Sequence, residues 1–333
     1  MATNPGVGFQ FPAKKVAWLK RDVLLFANSI GVKSDDLHLL YELHPKFQVF
    51  PSYPTVLSQK GENQELVDFY DAFQKNTSGV SIPGVPALDV KRMVDGGRIM
   101  KFFKPLPPSS TNQNFELQMH VTGVYDKGKS GTVVQTETAL VNTQTNDVYT
   151  KVIGNSFYIG QGGWGGPKGT IILKANRPIL SIIVTINPGP SPMRYSLPNR
   201  TPDTTYHLST TRETALLYRL NGDSNPLHAT PEPGKKMGFK GAVIHGLWSY
   251  NATAYVVLRS MGGSDVSNLK HFEAKFASPI YPGENCIIEM WRLGEYDGEG
   301  FEEIRFIVTV AGGKPALTDG RALVRPQGGS SKI

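Results

Sequence analysis

A chain of 333 residues, 39% hydrophobic and 19% charged with 35 glycines and 24 prolines, can bury one large core or two ordinary ones and is not disordered as a whole. The formal net charge of +7 would suit a phosphate-bearing small molecule, but Lys and Arg are scattered and no zinc-finger or RRM-type signature accompanies them, which argues against nucleic acid. The lone cysteine, Cys286, can form neither an internal disulfide nor a cysteine-built zinc site and fits a reducing compartment, so the sequons at Asn76, Asn199 and Asn251 are read as chance matches.

The chain opens on MATNPGVGFQFPAKK, without the apolar stretch of a signal peptide. Its longest apolar run, PILSIIVTI at 178–186, is too short to cross a bilayer. VLLFANSIG, 23–31, carries an apolar stripe ending in glycine and predicts a helix closed by that glycine. Alternating β-branched segments come next at 97–107, 114–128, 130–142 and 147–160, each predicting a strand with one buried face. A Pro/Gly-rich join covers about 165–205 and contains an unusually apolar stretch, 170–196. The order then repeats, with ALLYRLNG at 215–222 as the helix and strands at 269–283, 284–297, 301–313 and 321–326. One central helix and a run of strands, twice, predicts an α+β fold in which each curved antiparallel sheet wraps a helix. The expected units are 1–165, a linker at 166–205, and 206–333.

The two copies differ after their closing glycines. Gly222 is followed by Asp223, Ser224, Asn225, Pro226, Leu227 and His228; Gly31 is followed by Val32, Lys33, Ser34, Asp35, Asp36, Leu37 and His38, with a different spacing of acid and imidazole. The second string suits either a capped turn or the parts of a water-adding site. On one continuous helix Asp223 and His228 would stand about 140° apart and could not converge. Asn225 as N-cap and Pro226 at the first helical position break the chain between them, and His228 falls in the first turn of the new helix. The helix dipole there disfavours a charged imidazole.

The segments LLYRLNGDSNPLHATPE, GFKGAVIHGL (238–247), KFASPIYPGENCIIEMW (275–291), FANSIGV with FQVFPSYPTVL (26–32 and 47–57) and SFYIGQGGWGG (156–166) resemble, in order, the MaoC-like (R)-specific enoyl-CoA hydratases, "hydratase 2", whose fold is a double hot-dog. The resemblance implies hydration of trans-2-enoyl-CoA to (3R)-3-hydroxyacyl-CoA, with a dehydratase acting on a polyketide or another unusual acyl thioester as the nearest rival and a non-catalytic acyl-thioester module as a third reading. It implies Asp223 and His228 as the acid–base pair, with a catalytic second half and a first half that shapes an acyl tunnel through residues such as Phe47, Phe50 and Tyr53.

The chemistry asks for a carboxylate and an imidazole facing one trapped water, and Asn225 can orient that water without titrating. The thioester oxygen needs a backbone donor, for which the N–H of Gly246 in IHGL is the candidate. The GQGGWGG loop resembles a phosphate cradle but lacks the Lys-Ser/Thr of a P-loop, so its glycines are read first as a tight exit from a strand; because the loop lies near the CoA moiety in the family, the resemblance implies Gly163, Gly165 and Gly166 as CoA contacts. CoA belongs to the substrate, and neither a metal nor an organic cofactor is expected, because no pair of histidines has a metal-ligand spacing. His245 is read as structural, like His38, His44, His120, His207 and His271. The closing Ser331, Lys332 and Ile333 form a near variant of a peroxisomal address, which predicts the import receptor as a partner and the peroxisome, otherwise the cytoplasm, as location. A homodimer through an edge strand is compatible with the pattern.

Overall fold

The computed structural model describes residues 5–69, 81–169 and 195–327. Most of the apolar insertion and the whole C-terminal tripeptide lie outside them. All eight predicted strands form, and their alternation sets which face is buried: β9 (Glu302–Val310) reads as a strict buried/half-buried alternation. Two short strands without a sequence signal, β1 (Lys14–Val16) and β6 (Thr204–Ser209), add an edge to each copy.

The first copy runs β1, β3 (Phe115–Asp126), β4 (Gly131–Asn142), β5 (Asp147–Ile159) and β2 (Met93–Phe102) across the sheet; the second runs β6, β8 (Asn285–Tyr296), β9, β10 (Lys314–Val324) and β7 (Leu269–Phe276) in the same relative order. The repeat read in the sequence is therefore real. Instead of two separate sheets, the copies join edge to edge into one ten-stranded sheet through β2 and β7, from Gly97 opposite Lys275 to Lys101 opposite His271.

The helices correct the expectation. VLLFANSIG forms α1 (Lys20–Ser29), with Gly31 in the left-handed region, and Leu57–Lys60 forms a single turn, α2. ALLYRLNG is only the short α3 (Thr214–Tyr218) plus a 3-10 turn closed by the left-handed Gly222, and α1 packs against it. Neither is the helix that the sheet wraps. After the short α4 (Pro231–Lys236), that place is taken by α5, Gly246–Gly262, whose residues from Trp248 to Leu258 are all buried. Being buried on every side, with polar Ser249, Asn251 and Thr253 inside as well, α5 shows no amphipathic stripe, so a search for periodicity passes over it.

The first copy's acids hold the far end of α5. The Asp36 carboxylate accepts a hydrogen bond from Tyr255 Oη at 2.6 Å and pairs with Arg259, which also meets Asp35, while the His38 ring bonds Ser264 O at 2.9 Å. Asp36 is buried, so removing it leaves the buried Tyr255 hydroxyl without its acceptor, while Arg259 keeps Asp35. Asp36→Ala is expected to cost roughly 1–3 kcal/mol, read as a lower urea midpoint with an unchanged slope of unfolding free energy against denaturant.

Candidate active site

The loop after Gly222 turns because of its residue types. Gly222 sits at φ +112°, and a Cβ there would lie 2.8 Å from Lys60 Cα, so only glycine fits both the backbone and the neighbour. The Asp223 carboxylate accepts from Asn225 N–H at 3.3 Å, and Asn225 caps the adjoining 3-10 turn, Pro226–His228, by accepting from Leu227 N–H at 3.0 Å. Asn225 is thus the expected N-cap and Pro226 the first residue of the turn. With its oxygen engaged, Asn225 offers the NH2 end of its amide.

Tertiary structure carries the ring of His228 back over the loop. Its Nδ1–H donates to Val243 O at 2.8 Å, and because a carbonyl can only accept, the neutral ring keeps its lone pair on Nε2. Asp223, His228 and His245 each place one ligand-type atom within 4.8 Å of the others. Sequence spacing gave no reason to bring His245 in. It is the residue immediately before α5, its ring stacks on His228 at 3.7 Å with 24° between the planes, and its Nε2 stands 3.4 Å from Asp223 O and 3.9 Å from Asp223 Oδ2. Its reading as purely structural gives way to membership of the cluster, and the only signal in the sequence was its position next to Gly246.

Burial is the largest influence on both imidazoles and pushes both below the ordinary histidine value. For His228 the Asp223 carboxylate and the Val243 carbonyl oppose that shift; for His245, which falls well below, the neighbouring His228 reinforces it. The N-terminus of α5 points its dipole at the same place. Both rings are therefore neutral near pH 7. Beneath them Tyr218, packed 5.0 Å from His245, bonds through its hydroxyl to Asn251, which also holds Thr55.

Gly246 is the first residue of α5, and neither its N–H nor that of Leu247 finds a protein acceptor among the described residues. A Cβ on Gly246 would press on the Phe276 ring at 3.3 Å. The expected oxyanion donor is thus free in the sense that the role requires. A carboxylate and two imidazoles can serve proton transfer and are also a donor set for a divalent ion; the stacking keeps the two rings in nearly parallel planes.

Gly163, Gly165 and Gly166 stand elsewhere, at the end of β5. Their N–H groups, with that of Gly128, donate to the buried Asp126 carboxylate at 2.7, 2.8, 3.3 and 2.8 Å. Although burial alone would raise it, these four donors hold the Asp126 carboxyl below its usual range. Those donors are occupied within the protein, so the loop is an internal anion cradle. Phe50 and Tyr53 are likewise core side chains, and Phe47 packs against that core.

Two family models divide the chain: the MFE-2 hydratase 2 N-terminal domain matches residues 17–160 and the MaoC like domain matches residues 195–312. The chain is 44% identical over 327 residues to probable dehydratase NIT22 of Ajellomyces capsulatus, a match covering 95% of this chain and 81% of that protein. Against the peroxisomal enoyl-CoA hydratase 2 of Arabidopsis thaliana it is 26% identical over 293 residues, 86% of this chain and 85% of the relative. The crystal structure of a MaoC-like dehydratase from Phytophthora capsici superposes with a TM-score of 0.74 at 29% identity, covering 97% of this chain and 96% of that one.

The neutral, buried state of His245 links folding to pH. Its folded pKa lies below the unfolded value near 6.5, so the unfolded chain binds more protons as the medium is acidified. This contribution to stability is complete above the unfolded pKa and is lost as pH falls below it. Unfolding free energies measured from pH 7 downward should decline with acid, and His245→Gln should flatten that decline.

Proposed function

Because the chain belongs to the MaoC-like dehydratase and hydratase 2 family, with its double hot-dog fold, we propose that it is a hydro-lyase that adds water to trans-2-enoyl-CoA to give (3R)-3-hydroxyacyl-CoA, and reverses the reaction. The observation that carries this reading is the convergence of Asp223 and the free Nε2 side of His228 beside the uncapped first turn of α5. Fold alone would not assign the chemistry.

In this mechanism a water sits between Asp223 and His228. The carboxylate accepts one O–H and orients the oxygen toward Cβ, and Nε2 of His228 accepts the other proton as the C–O bond forms. The π electrons of the double bond move onto the thioester oxygen, where the N–H of Gly246 holds the growing charge. The imidazolium, stabilised meanwhile by Asp223, returns its proton to Cα, the enolate electrons form that C–H bond, and the ring is neutral again. Asn225 positions the water or the thioester through its NH2 group. The thioester is its own electron sink, and no step calls on a metal or organic cofactor. His245 acts as a positioning residue, its ring holding the plane of His228. The peroxisome is the compartment in keeping with this reaction, by analogy with the Arabidopsis relative's name.

Loss of a general acid–base group removes about 10²–10⁴-fold of rate. Asp223→Asn and His228→Ala are each expected to lower turnover at least about a hundredfold while keeping the wild-type circular dichroism spectrum. The assay is loss of the conjugated enoyl-thioester absorbance, with chiral resolution of the product. Near-wild-type turnover in either variant would remove the assignment, and a (3S) product would overturn the stereochemical part alone.

Losing an oxyanion donor typically costs about 2.7–4 kcal/mol of transition-state stabilisation. Gly246→Pro, which deletes the N–H at a position where helices accept proline, should therefore reduce kcat far more than it raises KM. Equal changes in the two constants would place the N–H outside the oxyanion site.

A further inference from the structure

Two cavities lie over the inner face of the first copy's part of the sheet, one of them against the Tyr53–Lys60 segment. The inner one, about 190 Å³, is lined by Thr55 and Arg98 and by the hydroxyl side chains Thr136, Thr138, Thr150 and Ser156. The outer one, about 540 Å³, shares Met119, Thr136 and Ser156 with it and runs out past Ile82, Val85 and Leu88. The inner cavity abuts the catalytic end of α5. Thr55 Oγ1 accepts from Asn251 in the second turn of that helix at 2.9 Å, and Arg98 pairs across the sheet with Ala274, two residues before the Phe276 that covers Gly246.

The inner cavity sets hydroxyl side chains among apolar ones, Leu117, Met119, Leu140 and Val152, where a plain alkyl chain would want only the latter. The four hydroxyl residues fall at alternate positions of β4 and β5, on the same face as the core residues Leu117 and Leu140. Thr150 is 1% exposed, and its Oγ1 has no hydrogen-bond partner among the described residues. That oxygen is closed off from the cavity, so the hydroxyl residues a ligand could meet are the half-buried Thr136, Thr138 and Ser156. Thr136, Thr138 and Ser156 likewise make no side-chain hydrogen bond among the described residues. Arg98 gives Nε and Nη2 to Asp95 at 2.9 and 2.8 Å. Its Nη1 lies over Gly154, where a Cβ would come within 2.3 Å, so the missing side chain leaves room for it. With its charge matched by Asp95, this donor suits a neutral oxygen better than a carboxylate.

Building on the hydro-lyase reading, we infer that the favoured substrate is an acyl thioester with hydroxyl or keto oxygens in the inner half of its acyl chain and an alkyl end beyond. The inner cavity supplies hydrogen bonds to the oxygenated part, and the outer one receives the apolar end. A polar pocket of this kind discriminates against a ligand lacking the oxygen, because its own buried groups are then left unpaired.

Calorimetric binding of saturated CoA thioesters tests this without requiring catalysis. Decanoyl-CoA is compared with a set carrying one hydroxyl, placed in turn at each carbon of the inner half. At least one of the set is expected to bind about tenfold more tightly than decanoyl-CoA, and Thr136→Val and Thr138→Val should each narrow that gap. Thr138→Val gives the same reading should Thr136→Val not fold. Equal affinities across the set, no binding by any of them, or a preference that survives both substitutions overturns the inference. Crotonyl-CoA hydration by the wild-type protein reports on the hydro-lyase reading alone, since its short chain ends before the inner cavity. Absence of that hydration with a retained binding preference discards the reaction and keeps the chain assignment, and the converse result does the opposite.

Discussion

The contact between the buried first turn of α5 and the loop from Gly222 to His228 governs everything chemical in this molecule. A helix N-terminus carries unsatisfied N–H groups and a positive dipole end, and burying it concentrates both at one place. The two imidazoles set there, His228 and His245, are held below the ordinary histidine value chiefly by burial. A neutral ring with Nδ1 tied to Val243 has one free lone pair, which is what a proton acceptor needs. Were the same loop on an exposed helix, water would satisfy the donors and restore the ordinary pKa of the rings.

The first copy of the repeat makes that burial possible without contributing to the cluster. Trp248 Nε1 donates to Ser29 O at 2.9 Å, Ser224 Oγ donates to Val67 O at 2.8 Å, and Lys60 packs under Gly222. Both copies begin alike, with a short edge strand, a helix and a left-handed glycine, β1–α1–Gly31 and β6–α3–Gly222. Beyond the glycine their acids diverge: Asp35 and Asp36 clamp Arg259 near the C-terminal end of α5, whereas Asp223 stands at its N-terminal end. One helix thus has an electrostatic clamp at one end and a reactive cluster at the other. Over the first copy's sheet, the described Tyr53–Lys60 segment is far shorter than α5, and the inner cavity lies against it.

The pattern of oxygen-bearing side chains in the inner cavity bears on how specificity arises in such a duplicated scaffold. Sheet positions facing inward ordinarily take apolar residues, and Leu117 and Leu140 do so here. Threonine satisfies the same β-sheet preference as valine while adding a donor and an acceptor. A strand can therefore exchange an apolar lining for a polar one with little change in shape, which leaves the fold intact and alters what the cavity holds.

From the sequence alone, period-two alternation revealed the eight main strands, internal similarity revealed the duplication, and Gly222, Asn225 and Pro226 revealed the turn that separates Asp223 from His228. Each of these is a local signal, carried by neighbours along the chain. The central helix was invisible because a helix buried on every side has no polar face to mark its period, and β1 and β6 because three to six residues hold too little pattern. His245 looked like any core histidine, since nothing local says that a residue 17 positions beyond His228 will stack on it. The GQGGWGG glycines looked like a place for phosphate because their N–H groups are set by backbone shape, while the carboxylate that occupies them comes from Asp126 on another strand. Sequence determined most of the elements and most residues of the candidate site. Tertiary structure decided which of them meet, because the contacts that gather a site are long-range and depend on how α5 is enclosed.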